Sequence, residues 1–153
     1  MQEKNNRERD EQISAFSQTW HQLLKLDQQM NPEQKYKEFL ALNINEINVI
    51  SFVSQQPDVI LKDISSVLDL PKSTLTSIVS RLERKGYILR IISQRDLRSY
   101  GLRLTEKGIL AQKEHLEYEK EVFGAVLGTL EADERKELVR LMSKIAATLI
   151  QET

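Results

Sequence analysis

The side chains of this chain that could do chemistry are gathered between positions 72 and 107, and most of them are short hydroxyls and long cations. Ser73, Thr74, Thr76, Ser77 and Ser80 stand among Lys72, Arg81 and Arg84, with Glu83 as the one acid in that run. Short hydroxyls let a backbone lie close to base edges and phosphates. Lysine and arginine neutralise the phosphate charge that supplies most sequence-independent affinity. The chemistry implied is recognition of a nucleic acid, not the making or breaking of bonds. A second basic group, Arg95, Arg98 and Arg103, follows with Asp96 among its members. An ordinary solvated helix is the plain alternative for the first group, and the second group counts against it.

These residues must be positioned by a helix and a hairpin. Pro71 suits the first position of a helix, where a missing N–H costs nothing, and Gly86 sits where a left-handed cap is wanted. Between them Leu75, Ile78, Val79 and Leu82 recur at i, i+3, i+4 and i+7 and mark a core face. The opposite face carries Ser73, Thr76, Ser77, Ser80 and Arg84, with Lys72, Thr74 and Arg81 at its edges. Tyr87 to Ile92 is β-prone, Ser93-Gln94-Arg95-Asp96 is turn-like and Tyr100 to Leu104 alternates, which together describe a hairpin with a polar tip. Upstream, Asn43 with Glu46 reads as a capping box opening a helix with core positions Ile47, Ile50 and either Val53 or Phe52, which stops at Gln55-Gln56-Pro57-Asp58. A short helix with Ile64, Val67 and Leu68 inward follows, and Asp69-Leu70-Pro71 turns it into the basic helix. Two short helices joined by a tight turn, the second basic, form a helix-turn-helix.

Asp96-Leu97-Arg98, then Leu104-Thr105-Glu106-Lys107-Gly108, match the wing signature D-x-R followed by L-T-x-x-G of the MarR family of winged-helix transcription regulators. Arg81-Leu82-Glu83-Arg84-Lys85-Gly86-Tyr87-Ile88 resembles the end of that family's recognition helix, and helix pattern and length are similar over nearly the whole chain. The resemblance implies a mainly α fold with a small β wing, a winged helix-turn-helix with N- and C-terminal dimerisation helices. It implies a sequence-specific DNA-binding transcription regulator, a ligand-responsive repressor binding a pseudo-palindromic operator as a homodimer. Residues 1–153 would form a single domain, with 43–105 as the winged helix-turn-helix and 11–30 and 109–152 as dimerisation helices.

On this reading double-stranded DNA is met by Lys72, Ser73, Thr74, Thr76, Ser77, Arg81, Arg84, Arg95, Asp96 and Arg98. The hydroxyls read bases, Lys72, Arg81 and Arg84 hold phosphates, and Arg98 enters the minor groove, with Asp96 orienting it or satisfying backbone N–H groups at the wing tip. A small aromatic effector is expected near Trp20, Tyr36, Phe39 or Phe52. Gly101 stands where the family usually has an apolar residue, and is expected to mark a bulge or a weaker strand pairing. The competing class is a winged-helix protein-interaction module without DNA binding, which would show little salt dependence and no preference for palindromes.

Charge and the terminal segments fit the leading reading. Net charge over the 153 residues is −1, yet from Pro71 to Gly108 the balance is +6, which leaves −7 elsewhere and a basic face on an acidic body. Met1 to Asp10 is too polar to bury. Ile13, Phe16, Trp20, Leu23 and Leu24 form the stripe of a helix ending near Met30-Asn31-Pro32, and Glu33 to Leu42 reads as a connecting segment. Core packing is the plain account of that stripe, and a dimer seam or small-molecule cavity the sharper one. Thr105 can cap a long helix carrying Ile109, Leu110, Leu116, Phe123, Val126 and Leu127, interrupted by a polar stretch from Gln112 to Lys120. The chain turns near Gly128-Thr129-Leu130. Leu138, Leu141, Met142, Ile145 and Leu149 then make a clean stripe that needs a partner surface, expected to be a second subunit.

Other chemistries find little support. There are no cysteines, so neither disulfides nor thiol-based sensing is available. His21 and His115 lie far apart and are read as solvated helix-face residues, so no metal and no cofactor are expected. No nucleophile elbow or general-base pattern suggests an enzyme. No apolar run long enough to span a membrane is present and the first ten residues are highly charged, so the expected location is cytoplasmic.

Overall fold

The computed structural model describes the backbone of residues 2–29, 35–56, 58–94 and 98–151, and the side chains of 6–25, 35–56, 58–94 and 98–149. Seven helices and three short strands follow one another among these residues: α1 (Gln2–Gln29), α2 (Lys37–Leu40), α3 (Ile44–Gln55), β1 (Val59–Ile60), α4 (Leu61–Leu68), α5 (Lys72–Arg84), β2 (Ile88–Ile92), β3 (Tyr100–Leu104), α6 (Glu106–Gly128) and α7 (Ala132–Gln151). Residues 1–114 and residues 115–153 are two compact units.

In the first unit, local chemistry starts and stops the helices. The Asn43 side chain accepts from Glu46 N at 3.0 Å and the Glu46 carboxylate accepts from Asn43 N at 3.1 Å, so the capping box that opens α3 is complete. Pro71 is the cap of α5 and not its first helical residue. At the other end Gly86 has φ +79°. Gly86 N donates to Glu83 O at 3.0 Å and Tyr87 N to Leu82 O at 2.9 Å, the paired bonds of a left-handed helix stop. Thr105 caps α6 by accepting from Gly108 N at 3.1 Å while its hydroxyl donates to Gly86 O at 2.7 Å. A Cβ at position 108 would collide with the Tyr87 carbonyl oxygen, so the L-T-x-x-G run joins helix α6 to the end of the recognition-helix turn at van der Waals distance.

The core of this unit is one cluster: Val49, Ile50 and Val53 of α3, Val59, Ile64, the four apolar residues of α5, Tyr87, Ile88, Leu102 and Ala111. Leu75, Ile78, Val79 and Leu82 are all buried, as the spacing predicts, and each contributes about 1.5–3 kcal/mol by leaving water. Val53 takes the inward position and Phe52 packs partly buried against the cluster.

Three expectations need correction. Val67 is 63% exposed because Leu61 joins Ile64 and Leu68 on the inward side of α4 and rotates that face away from it. The segment after residue 34 contains the one-turn helix α2, with Tyr36 and Phe39 buried. Position 101 is neither bulged nor weakly paired: Gly101 pairs with Ile91 on one side and Ile60 on the other in unbroken antiparallel register, in a sheet of order β1-β3-β2. Strand β1 escaped the sequence reading because two residues carry no periodicity and pair only with a strand some forty residues later. The expected end of α1 at Met30-Asn31-Pro32, and Pro57 at the end of α3, lie outside the described residues.

The polar stretch within α6 has a structural use. Glu114, nearly buried, accepts from Phe39 N at 2.9 Å, and Gln112 accepts from Ser51 Oγ at 2.9 Å, which fastens the start of α6 to α2 and α3. In the second unit, Thr129 N and Leu130 N turn the chain after Gly128, and the Glu134 carboxylate accepts from Glu131 N at 2.8 Å to open α7.

Candidate nucleic-acid interface

The reading face is held by the burial of its opposite side. With Leu75, Ile78, Val79 and Leu82 packed inward, Lys72, Ser73, Thr74, Thr76, Ser77 and Arg84 all lie exposed on α5. Thr76 donates its hydroxyl to Lys72 O at 2.7 Å and Ser77 to Ser73 O at 3.1 Å. In these rotamers each hydroxyl donates to its own helix and keeps acceptor capacity on its oxygen. Ser80, placed by spacing on the same face, is half-buried and accepts from Arg90 Nη2 at 3.3 Å.

The cations divide into two sets. Arg81 Nε lies 3.2 Å and Lys85 Nζ 3.0 Å from the fully buried carboxylate of Glu46. Arg90 pairs with Glu83 at 3.2 Å, and Lys107 reaches Glu38 at 3.4 Å while lying 4.3 Å from the centre of the Tyr87 ring. Among the described residues Lys72, Arg84 and Arg103 form no ion pair. Arg81 retains 44% side-chain exposure beside its bond to Glu46. The local excess of positive charge is therefore smaller than the count along the chain, because Glu38 and Glu46 come to it from outside the counted segment.

Glu46 and Tyr87 carry the electrostatic signature of this arrangement. Burial alone would raise the Glu46 carboxyl. Hydrogen bonds from Lys85, the Asn43 amide and Arg81, together with the Lys85 charge, outweigh it and hold the group below the usual carboxylate range. Burial first, then the hydrogen bond to Glu38 and the surrounding carboxylates, push the Tyr87 phenol well above its ordinary value, so it remains an O–H donor to Glu38 at 3.0 Å. A chain of contacts thus runs from α2 through Glu38, Tyr87 and Lys107 to the end of the recognition helix. The capping role of Glu46 is local, and nothing near it in sequence signals its pairing with Arg81 and Lys85.

The wing stands beside this face. Strands β2 and β3 pair from Ile88↔Leu104 to Ile92↔Tyr100, and Ser93 N donates to Ser99 O at 3.2 Å beyond the last pair. Arg98 is exposed just before β3. Arg95 and Asp96 lie outside the described residues. Between α4, the start of α5 and the wing opens a cleft of ≈580 Å³ lined by Ile60, Leu61 and Leu102 together with Lys62, Lys72 and Tyr100.

The aromatic candidates differ in exposure. Tyr36 and Phe39 are buried, Phe52 is half-buried against the core, and Trp20 is 47% exposed, stacked on Phe16 with ring centres 6.0 Å apart. His21 Nδ1 lies 2.7 Å from Ser17 O, and half-buried His115 faces Glu119 at 3.1 Å. Among the described residues no group of three or more His, Cys, Asp or Glu side chains could hold a metal ion, and no helix is long and apolar enough to cross a membrane.

Comparison with known proteins matches this geometry. Residues 42–100 match the profile of the MarR family. The HTH-type transcriptional regulator BilQ of Clostridioides difficile (strain CD3) is 35% identical over 57 residues, 37% of this chain and 38% of that protein. The chain spans between 38% and 62% of the length of the curated relatives it matches. Streptococcus pneumoniae FabT, solved in complex with DNA, superposes with a TM-score of 0.71 at 23% identity over 94% of this chain and 96% of that one. The YusO protein of Bacillus subtilis gives 0.67 at 21% identity over 90% and 96%. Residues 42–100 are thus similar in sequence to the MarR family, and the winged helix-turn-helix that this segment builds has the fold of these solved neighbours.

Proposed function

We propose that the chain is a sequence-specific DNA-binding transcription regulator that acts as a homodimer on a pseudo-palindromic operator, as a repressor released by a small aromatic effector. One observation carries the DNA reading: the exposed face of α5 offers Ser73, Thr74, Thr76 and Ser77 between the unpaired cations Lys72 and Arg84, next to a wing that exposes Arg98. The hydroxyls read bases in the major groove, the cations hold phosphates, and Arg98 enters the narrower groove, where a guanidinium is favoured by concentrated negative potential. Arg81 contributes through the part of its guanidinium that Glu46 leaves exposed, and Arg95 and Asp96 are assigned to the same interface on their sequence alone. That FabT has been solved with DNA bound supports the same reading.

Homodimerisation is supported by the apolar stripes on α1 and α7, where Phe16, Trp20, Leu141 and Ile145 are 43–67% exposed. A second copy meeting them across a two-fold axis would remove them from water and space two α5 helices for successive grooves. The effector would act near Trp20, Tyr36, Phe39 and Phe52. Because Tyr36 and Phe39 are buried, it would have to open the α2 region, which the Glu38–Tyr87–Lys107 contacts connect to the recognition helix.

Selection of bound duplexes from a random pool tests the class and the symmetry together, with a palindromic consensus expected. On the selected site, Arg98→Ala should weaken binding by about 1–3 kcal/mol and leave the dimer intact. Binding without sequence preference or salt dependence would favour the protein-interaction module, and equal affinities for mutant and parent would remove Arg98 from the interface. Aromatic acids that bind the protein should release the duplex, and failure of every such binder would exclude the effector.

A further inference from the structure

Asp58 stands at the entrance to β1 with a left-handed backbone, φ +55°, a conformation that aspartate tolerates better than most residues. Its carboxylate reaches across to the wing. Oδ2 accepts from Ser93 Oγ at 3.0 Å and from Gln94 N at 2.8 Å, the two residues that immediately follow β2. Ser93 is fully buried, and its own amide crosses the hairpin to Ser99 O at 3.2 Å. One carboxylate therefore fastens the stem of the wing at the point where strand pairing ends, with Ile92↔Tyr100 the last pair.

The other side of this carboxylate explains Gly101. A Cβ built at position 101 would overlap Asp58 Oδ1, and would lie 3.3 Å from Asp58 Cγ and from Ile91 Cγ1. Backbone pairing at Gly101 is regular on both edges, so the missing side chain has no conformational purpose. What it provides is space for the acid. A side chain at 101 and the Asp58 carboxylate in its present position cannot occupy the sheet surface together.

We infer that Asp58 is a positioning residue for the wing, and that Gly101 lacks a side chain to admit it. The acid holds Ser93 and Gln94, so it sets the direction in which the hairpin leaves the sheet and delivers Arg98 to DNA. The consequence for binding rests on the proposed DNA-binding function; the anchoring itself does not.

Amide hydrogen exchange at Gln94 reads the anchor without DNA. Asp58→Ala should speed that exchange by about tenfold, the loss of one well-made bond, while amides in α5 keep their rates. Gly101→Ala should do the same by expelling the carboxylate. The double variant should be no worse than Asp58→Ala alone, because the new methyl enters the vacated space. Should Asp58→Ala fail to fold, Ser93→Ala removes the hydroxyl's bond to the carboxylate and should still raise the Gln94 rate measurably. An unchanged Gln94 rate in these variants, or additive damage in the double variant, overturns the anchor.

Duplex affinity then reads the positioning role. Asp58→Ala should weaken binding about tenfold in the parent and add nothing in an Arg98→Ala background, since an acid that acts through the wing has nothing left to position. Equal losses in both backgrounds overturn that role. Failure of the parent to bind any duplex would refute the proposed function and leave the exchange result to decide the anchor.

Discussion

Helices α5 and α7 are both amphipathic by spacing, and the structure treats their apolar faces in opposite ways. Leu75, Ile78, Val79 and Leu82 of α5 are no more than 2% exposed, whereas Leu141, Met142, Ile145 and Leu149 of α7 are 43–59% exposed. Ion pairs differ likewise. Glu46 beneath α5 is fully buried between two cations, while Glu137 and Arg140 on α7 pair at 2.6 Å in the open. A stripe shows that a helix needs a covering surface and leaves open whether its own chain supplies one. The core beneath α5 is closed by its own chain, whereas the stripes of α1 and α7 stay exposed.

The sharpest way to break this comparison is to truncate each face in turn. Leu82→Ala leaves a cavity beneath the recognition helix and should cost about 2–5 kcal/mol in denaturant unfolding. A loss under about 1 kcal/mol would mean the core is looser than its burial indicates. Leu141→Ala should change the stability of the dissociated chain little and instead weaken self-association by about 1.5–3 kcal/mol, measured by sedimentation over a concentration series. An association constant equal to the parent's would remove α7 from the proposed interface.

The smallest effect separates the two ion pairs by pH. The Glu46 carboxyl is held below its unfolded value. It therefore contributes stability that is fully present above the unfolded carboxylate range and is lost as pH falls through the folded value. Glu46→Gln should flatten the acid limb of the stability profile. Glu137 is also held low by its hydrogen bond from Arg140, but full exposure lets water compete for both groups, and Glu137→Gln should leave the acid limb unchanged. Equal effects of the two substitutions on thermal unfolding between neutral and acidic pH would show that burial does not distinguish them.

Much of this molecule was legible along the chain because its signals are local. The Asn43–Glu46 box, the Gly86 stop and the Thr105 cap are each completed within a few residues, and the buried face of α5 follows from a 3.6-residue period. The same period misplaced Val67, because an eight-residue helix offers too few positions to fix its inward direction and the Leu61 contact decided it.

Other features depended on residues distant in sequence. That Glu46 would take up Arg81 and Lys85, and so leave Lys72 and Arg84 as the unpaired cations of α5, required α3 and α5 to pack side by side, thirty-five residues apart. That Gly101 would be regular strand with its side-chain space taken by Asp58 required β1, and the residue before it, to arrive beside β3. The sequence by itself determined where helices begin, where they stop and which faces are apolar, since bonds between near neighbours settle those. Only the tertiary structure decided which charges survive for a partner and which bare position makes room for an acid, because Coulomb attraction and steric exclusion act through space, between groups that the chain separates.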